Sequence, residues 1–200
     1  MNFLIDDMNI PLMQKRSDKH LNNLKNFFLK SMEGINPSAE YSLDNKIYVN
    51  PNYSKIIDIN MSNRHLIEFK SISSSFGKNT NNRIEEMVGQ CQLLSDIGKV
   101  SYVFVYHDTA SQFKYYDKIK GVMQYLLDLG LLHSAVLYKV TSAKVVEDAD
   151  FNIETFLGSI ERNEKKSTNS RWFERILQGI HLRSKRLFSR ATNRWHKGVY

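Results

Sequence analysis

The chain has 200 residues, of which 42% are hydrophobic, 24% charged and 12% aromatic, a balance typical of one globular domain. Its 9 Gly and 3 Pro exclude a collagen-like or wholly disordered chain, and the single Cys91 excludes an internal disulfide framework and a cysteine-rich zinc site. No hydrophobic run reaches the roughly 18 residues of a membrane span, and the first residues lack the basic segment of an export signal. We therefore expect a cytoplasmic protein with no membrane association.

The net charge of +7 is unevenly distributed. Residues 161–200 contain eleven Lys or Arg against three Glu, a net charge of +8, so residues 1–160 carry a net charge of −1. Attraction to a polyanion is therefore concentrated in the last fifth of the chain. We predict one domain over residues 1–160 and a basic helical C-terminal extension over 161–200, in which apolar spacing indicates a helix over Asn169–Phe188.

In chain order, the first predicted element is an amphipathic helix over Met13–Ser31 that ends near Gly34. Three short strands follow, over Lys46–Asn50, Ile56–Met61 and Leu66–Ser71. Because only four polar residues separate the second strand from the third, these two strands are predicted to form an antiparallel hairpin.

The second half of the chain alternates helices with strands. A polar loop over Ser73–Arg83 leads into a helix over Arg83–Ile97, and a nearly continuous hydrophobic run, Val100–Tyr106, predicts a central strand covered on both faces. A helix over Tyr116–Leu129, closed by Gly130, and a last strand over Ser134–Thr141 complete the pattern. This order predicts an α/β fold with a central mixed β-sheet flanked by helices.

The hairpin carries three ionisable residues, Asp58 on its first strand and Glu68 and Lys70 on its second. Glu68 and Lys70 share a face because they are two residues apart, and Asp58 joins them if the turn is odd-numbered, for example three residues centred on Asn63. Two carboxylates there would bind Mg²⁺, with Lys70 beside the metal-bound water, a set of groups suited to phosphodiester hydrolysis. The alternative is a solvated Glu/Lys pair on the exposed face of an edge hairpin.

The segment from Glu68 to Gly89 closely resembles the corresponding stretch of the XhoI-type type II restriction endonucleases, which show E-x-K-S followed by S-F-G-x-N-x-N-N-R-x-E-E and a nearby Gly. The matching residues are Glu68, Lys70, Ser71, Ser75, Phe76, Gly77, Asn79, Asn81, Asn82, Arg83, Glu85, Glu86 and Gly89. With Asp58 on the preceding strand, the pattern is similar to the PD-(D/E)xK nuclease core, although Ile57 stands where the motif name has Pro. The order of elements agrees over about residues 45–160.

The resemblance implies a PD-(D/E)xK restriction-endonuclease-like sandwich and a Mg²⁺-dependent, site-specific endonuclease of a restriction-modification system. Such an enzyme cuts double-stranded DNA at a short palindrome, usually CTCGAG in this family, acts as a homodimer and has a cognate DNA methyltransferase that protects the host. Transferred residue by residue, Asp58 and Glu68 take the metal-ligand roles and Lys70 the water-orienting role.

The polar loop offers side chains suited to DNA, because Asn pairs with adenine edges and Arg with guanine edges or phosphates. The candidate DNA-binding residues are Ser75, Asn79, Asn81, Asn82 and Arg83. Asn82 is also predicted to cap the following helix. Glu85 and Glu86 either stabilise the positive end of that helix or, in the case of one such as Glu86, turn toward the metal as an accessory acid.

Two other interpretations remain open. A catalytically inactive DNA-binding or assembly module on the same fold predicts Asp58 out of register with Glu68, or a carboxylate held in a structural salt bridge. A membrane-associated or protein-interaction module predicts that residues 170–190 form the functional surface.

Overall fold

The structure is a computed structural model that describes residues 3–8, 18–62, 64–72, 76–107, 113–141 and 144–161. The contacts of the chain divide it into two units, Met1–Ser159 and Ile160–Tyr200. The predicted helix over Asn169–Phe188, and the functional surface predicted for the basic extension, lie outside the described residues. None of the described helices combines the length and the apolar composition that crossing a bilayer requires.

The secondary structure alternates between helices and strands after an antiparallel start. The helices are α1 (Phe3–Met8), α2 (Asn22–Ile35), α3 (Phe76–Leu94), α4 (Phe113–Asp128) and α5 (153–161), with a 3₁₀ turn, Asp18–Leu21, before α2. The strands are β1 (Tyr41–Asn50), β2 (Tyr53–Met61), β3 (His65–Ile72), β4 (Lys99–His107), β5 (Ser134–Val140) and β6 (Val145–Glu147).

The described residues form a six-stranded mixed sheet in which the spatial order of the strands, β1 to β6, equals their order in the chain. The pairs β1–β2, β2–β3 and β5–β6 are antiparallel, whereas β3–β4 and β4–β5 are parallel. Parallel neighbours require a crossover, and α3 and α4 provide the two crossovers. The predicted α/β architecture with a mixed sheet flanked by helices is confirmed.

Both faces of the central sheet are covered. On one face, side chains from β3, β4 and β5 pack with those of α3 and α4, including Leu66, Met87, Tyr102, Phe104, Met123 and Leu137. On the other face, the Phe28 ring of α2 lies 5.4 Å from the ring of Phe69 and 6.4 Å from that of Tyr138. Residues 100–106 of β4 are all buried, which confirms the prediction of a central, doubly covered strand.

Helix α3 begins at Phe76, seven residues before its predicted start at Arg83, so the predicted loop is wrong from Phe76 onward. Asn82 lies inside the helix and is not its cap, and Glu85 lies outside its first turn. The reason is tertiary packing. Thr80 is fully buried and Asn81 Oδ1 accepts a hydrogen bond of 2.7 Å from Lys118 Nζ of α4, and these contacts outweigh the weak helix propensity of Asn.

Other elements match the predictions more closely. The antiparallel hairpin of β2 and β3 is confirmed. Helix α4 is followed by Gly130, whose φ of 69° lies in the left-handed region that glycine tolerates, as predicted for the residue that closes this helix. Strand β1 begins at Tyr41, earlier than predicted, because it pairs with β2 from Met61 to Tyr53. Elements α1, β6 and α5 were not predicted from the sequence.

Candidate active site at the end of the β2–β3 ladder

The register of the β2–β3 hairpin decides whether Asp58 reaches Glu68. The paired residues are Ile59 with Ile67, Asn60 with Leu66, and Met61 with His65. Each of these pairs is centred on position 63, so the turn has the odd length that the sequence analysis set as the condition for Asp58 to reach Glu68. The same offset, continued one residue past Ile59, would set Asp58 opposite Glu68.

The Asp58 carboxylate lies where the two strands stop pairing. Beyond Ile59 the ladder ends, and the backbone N–H of Phe69 donates instead to Asp58 Oδ2 at 2.7 Å. A side chain thus takes the hydrogen bond that a backbone carbonyl of β2 would accept in a continuous ladder. This contact fixes the carboxylate beside the Glu68–Lys70 segment.

Glu68 and Lys70 point into the protein interior. They alternate along β3 with Leu66 and Ile72, which belong to the hydrophobic cluster under α3 and α4, and only 1% of Glu68 and 7% of Lys70 is exposed. The alternative of a solvated pair on an exposed edge hairpin is therefore wrong, because β3 pairs with a strand on each side and is covered by α3.

Glu68 is ion-paired through one oxygen and not through the other. Its Oε2 lies 3.2 Å from Lys70 Nζ and 3.3 Å from Lys55 Nζ, whereas its Oε1 is buried with no hydrogen-bond partner among the described residues. Burial raises the pKa of Glu68, although Lys70 and Lys55 act in the opposite direction. A buried carboxylate oxygen without a donor is costly unless a cation or a donor outside the chain completes it.

Glu86 of α3 reaches the same lysine from the helix side. Its Oε1 lies 3.1 Å from Lys70 Nζ, and its Oε2 accepts a hydrogen bond of 2.7 Å from Arg83 Nη1. Burial opposes ionisation of Glu86, but Lys70 and Arg83 together outweigh it and lower its pKa to about 2. Glu86, the predicted accessory acid, therefore contacts the site through Lys70.

Two neutral residues, which the sequence analysis did not identify, hold Glu86 in place. Gln90 Nε2 donates to Glu86 Oε1 at 2.9 Å, and the buried hydroxyl of Tyr102 donates to Gln90 Oε1. The signal that could have found Gln90 is its spacing, since residues 83, 86 and 90 share one side of a helix. Tyr102 lies in β4, where bulky apolar and aromatic side chains predict a buried core strand, so no sequence signal marks Tyr102 as a site residue.

Lys25 and Lys55 are the other site residues missed from the sequence. Lys25 Nζ lies 2.5 Å from Asp58 Oδ1 and 3.5 Å from Asp44 Oδ1. A signal for Lys25 existed, because it stands within the apolar stripe of α2, between Leu24 and Phe28. A lysine in such a stripe needs a buried acid as its partner.

The candidate DNA-binding residues separate in the structure. Arg83 is joined to the site through Glu86, and Asn81 is directed to Lys118 of α4. Asn82 is exposed and Asn79 is half-buried, both in the N-terminal half of α3, and Ser75 lies outside the described residues.

Asp58 and Glu68 offer carboxylate oxygens, the ligands that Mg²⁺ prefers. No group of three or more His, Cys, Asp or Glu side chains that could hold a metal ion occurs in the part of the chain that the structure describes. Mg²⁺ commonly uses only one or two carboxylates and keeps several waters, so a pair is sufficient. Glu68 fits this role through Oε1, which has no hydrogen-bond partner within the described part of the chain. Both oxygens of Asp58 are engaged, Oδ1 by Lys25 and Oδ2 by the Phe69 N–H, so Asp58 could supply Oδ1 to a metal ion only if Lys25 moved away from it.

Comparisons with protein-family models, with curated protein sequences and with solved structures find no match to this chain.

Proposed function

We propose that this protein is a Mg²⁺-dependent, site-specific endonuclease with a PD-(D/E)xK fold, a type II restriction enzyme acting on double-stranded DNA. The observation that carries the proposal is the position of Asp58 at the end of the β2–β3 ladder, beside Glu68 and Lys70, with Glu68 Oε1 buried and lacking a hydrogen-bond partner among the residues that the structure describes. The resemblance of Glu68–Gly89 to XhoI-type enzymes supports the same activity.

In this proposal Asp58 and Glu68 would hold the metal ion. Mg²⁺ bound there would supply a Lewis acid that offsets negative charge on the phosphate oxygens and makes water more acidic. Lys70 Nζ, fixed between Glu68 Oε2 and Glu86 Oε1, orients the attacking water and offsets negative charge on the phosphate. Glu86, Gln90 and Tyr102 position Lys70 and do not touch the substrate.

The proposal includes two partners besides DNA. Cutting both strands of a palindrome with one active site per strand calls for a homodimer, and protection of the host calls for a cognate DNA methyltransferase. Arg83 and the Asn side chains of α3 would contact DNA, and the basic extension would contact phosphates.

A second candidate function is a catalytically inactive DNA-binding or assembly module on the same fold. The observation that favours it is the ion pairing of both carboxylates, Asp58 with Lys25 at 2.5 Å and Glu68 with Lys55 at 3.3 Å. In this candidate, the lysines are permanent structural counterions and no metal ion binds.

The two candidates are separated by a cleavage assay with the full chain. Unmethylated plasmids with and without CTCGAG are incubated with Mg²⁺ or with EDTA, using wild type, Glu68→Gln, Lys70→Met and, as a matched control, the exposed Lys30→Met. The endonuclease predicts discrete fragments from wild type and Lys30→Met in Mg²⁺ alone, and intact DNA with the other two variants.

Intact DNA with every protein, together with retarded DNA in a gel-shift assay, would favour the inactive module. Intact DNA with no retardation would contradict both candidates. Fragments that persist with Lys70→Met would contradict the role assigned to Lys70.

A further inference from the structure

We propose that the Lys25 ammonium group competes with a divalent cation for the carboxylate of Asp58, and that Asp44 is the alternative partner of this ammonium group. Lys25 and Asp44 together would then set the affinity of the site for a divalent cation. This inference rests on the proposed function, because the competing cation is the metal ion that Asp58 and Glu68 would hold.

The side chain of Lys25 is buried. It lies on the buried side of α2, and only 10% of its side chain is exposed. Its Nζ lies 2.5 Å from Asp58 Oδ1 while the Phe69 N–H occupies Oδ2, so each oxygen of Asp58 is engaged. The ammonium group therefore occupies one of the two ligand positions that Asp58 could offer to a metal ion.

Asp44 is placed to take over the ammonium group. In the β1–β2 register Leu43 pairs with Ile59 and Asn45 with Ile57, so Asp44 stands opposite Asp58. The φ of Asp44 is 45°, a left-handed conformation that Asp tolerates better than most residues. Its carboxylate lies 3.5 Å from Lys25 Nζ, and 70% of the side chain is exposed.

Because Asp58 and Asp44 both lie near Lys25 Nζ, the ammonium group can move from one carboxylate to the other without being left unpaired. A divalent cation held by Glu68 and Asp58 would repel the nearby ammonium group and would need the Asp58 oxygen that Lys25 holds. Transfer of Lys25 Nζ from Asp58 to Asp44 frees that oxygen, and keeps the lysine paired at the solvent-exposed side. The metal affinity is then the intrinsic affinity of the carboxylates reduced by the cost of the exchange.

The test measures Mn²⁺ binding to the full-length chain by titration calorimetry, without DNA. We expect Lys25→Met to bind Mn²⁺ about tenfold more tightly than wild type, because the competing cation is removed. Lys30 is an exposed lysine of the same helix, so Lys30→Met should bind Mn²⁺ with the affinity of wild type.

Asp44→Asn keeps the measurement decisive if Lys25→Met does not fold, because it retains the Lys25–Asp58 pair and Asn accepts the same backbone conformation. We expect Asp44→Asn to weaken Mn²⁺ binding about threefold in the wild-type background. In the Lys25→Met background it should have no effect, since no ammonium group remains to be transferred.

Equal affinities of wild type and Lys25→Met, with binding abolished by Glu68→Gln, would overturn this inference and leave the proposed metal site intact. An Asp44→Asn effect that persists in the Lys25→Met background would also overturn it. No Mn²⁺ binding by wild type, Lys25→Met or Asp44→Asn would overturn both the inference and the proposed metal site.

Discussion

Glu68 and Glu86 hold the same ammonium group, that of Lys70, at 3.2 Å and 3.1 Å, yet their pKa values are displaced in opposite directions. Burial raises the pKa of Glu68, whereas at Glu86 the opposing effect of burial is outweighed by Lys70 and Arg83, which lower the pKa to about 2. One lysine thus separates two carboxylates that differ in how readily they take up a proton.

The low pKa of Glu86 predicts a stabilisation that acid removes. Because the folded-state pKa lies below the ordinary value of 4.5, the contribution is complete above about pH 5 and is lost as the pH falls toward 2. We expect Glu86→Gln to lower the free energy of unfolding by roughly 2 kcal/mol at pH 7, allowing for partial exposure of the side chain. Urea denaturation at pH 7 and pH 3, in EDTA, measures the difference between variant and wild type.

That difference should shrink at pH 3. Glu85→Gln is the matched control, since Glu85 is exposed on the same helix and should have the same small effect at both pH values. A destabilisation by Glu86→Gln that is equally large at pH 3 would show that lost packing, rather than lost charge, is responsible.

The raised pKa of Glu68 predicts the opposite trend. A carboxyl group that binds its proton more tightly in the folded state favours folding at low pH, and that contribution is lost as the pH rises through its folded-state pKa. We expect the stability of Glu68→Gln relative to wild type to increase from pH 4 to pH 7.5 in EDTA, because Gln stays neutral. A relative stability that decreases over this range would contradict the assignment.

A close backbone approach at Gly98 predicts a sharp steric effect. A Cβ at Gly98 would lie 2.7 Å from the carbonyl oxygen of Arg64, which also accepts a hydrogen bond from the Lys99 N–H. We expect Gly98→Ala to destabilise the protein by about 1–3 kcal/mol in urea denaturation. Gly121→Ala is the control, because a Cβ there meets nothing within 4 Å and Ala is favoured in the interior of α4, so it should stabilise by up to about 1 kcal/mol.

The buried ring of Phe28 predicts a large loss of stability when it is removed. Phe28 is fully buried and packs edge-on against the rings of Phe69 and Phe156, each at 5.4 Å. We expect Phe28→Ala to cost about 3–5 kcal/mol by thermal or urea denaturation. Tyr125→Ala on α4, where 62% of the residue is exposed, should change the stability by less than about 0.5 kcal/mol. Similar losses for the two variants would contradict this account of the α2 side of the core.

The sequence predicted the parts of the fold that depend on local patterns. Alternation of apolar residues placed β2 and β3, and the short turn between them predicted their antiparallel pairing. The register was only a condition on the turn length, and the structure supplies it: Ile59 pairs with Ile67. The start of α3 was missed because Asn79, Asn81 and Asn82 are weak helix formers. The contact seen for one of them, between Asn81 Oδ1 and Lys118 Nζ, comes from α4 and is not visible in the local sequence.

The residues of the candidate site likewise differ in whether a local sequence pattern marks them. Glu68 and Lys70 were recognised because they interrupt an apolar strand, and Asp58 on the condition that an odd-numbered turn brings it to the same face. Lys25 left a local signal as a lysine within the apolar stripe of α2, but its partner Asp58 lies on another element. Tyr102 acts through Gln90 of α3, so its identity as a site residue depends on tertiary structure that no local pattern encodes.

The sequential order of the sheet has a consequence for how the chain assembles. Since each strand from β2 to β6 in the described residues pairs with the strand made just before it, the sheet can grow from one edge as the polypeptide emerges during synthesis. The β1–β3 meander needs only short loop closures and can form first, before the two slower parallel additions. Asp58 and Glu68 would then meet in a nascent chain before Glu86 has been placed against Lys70.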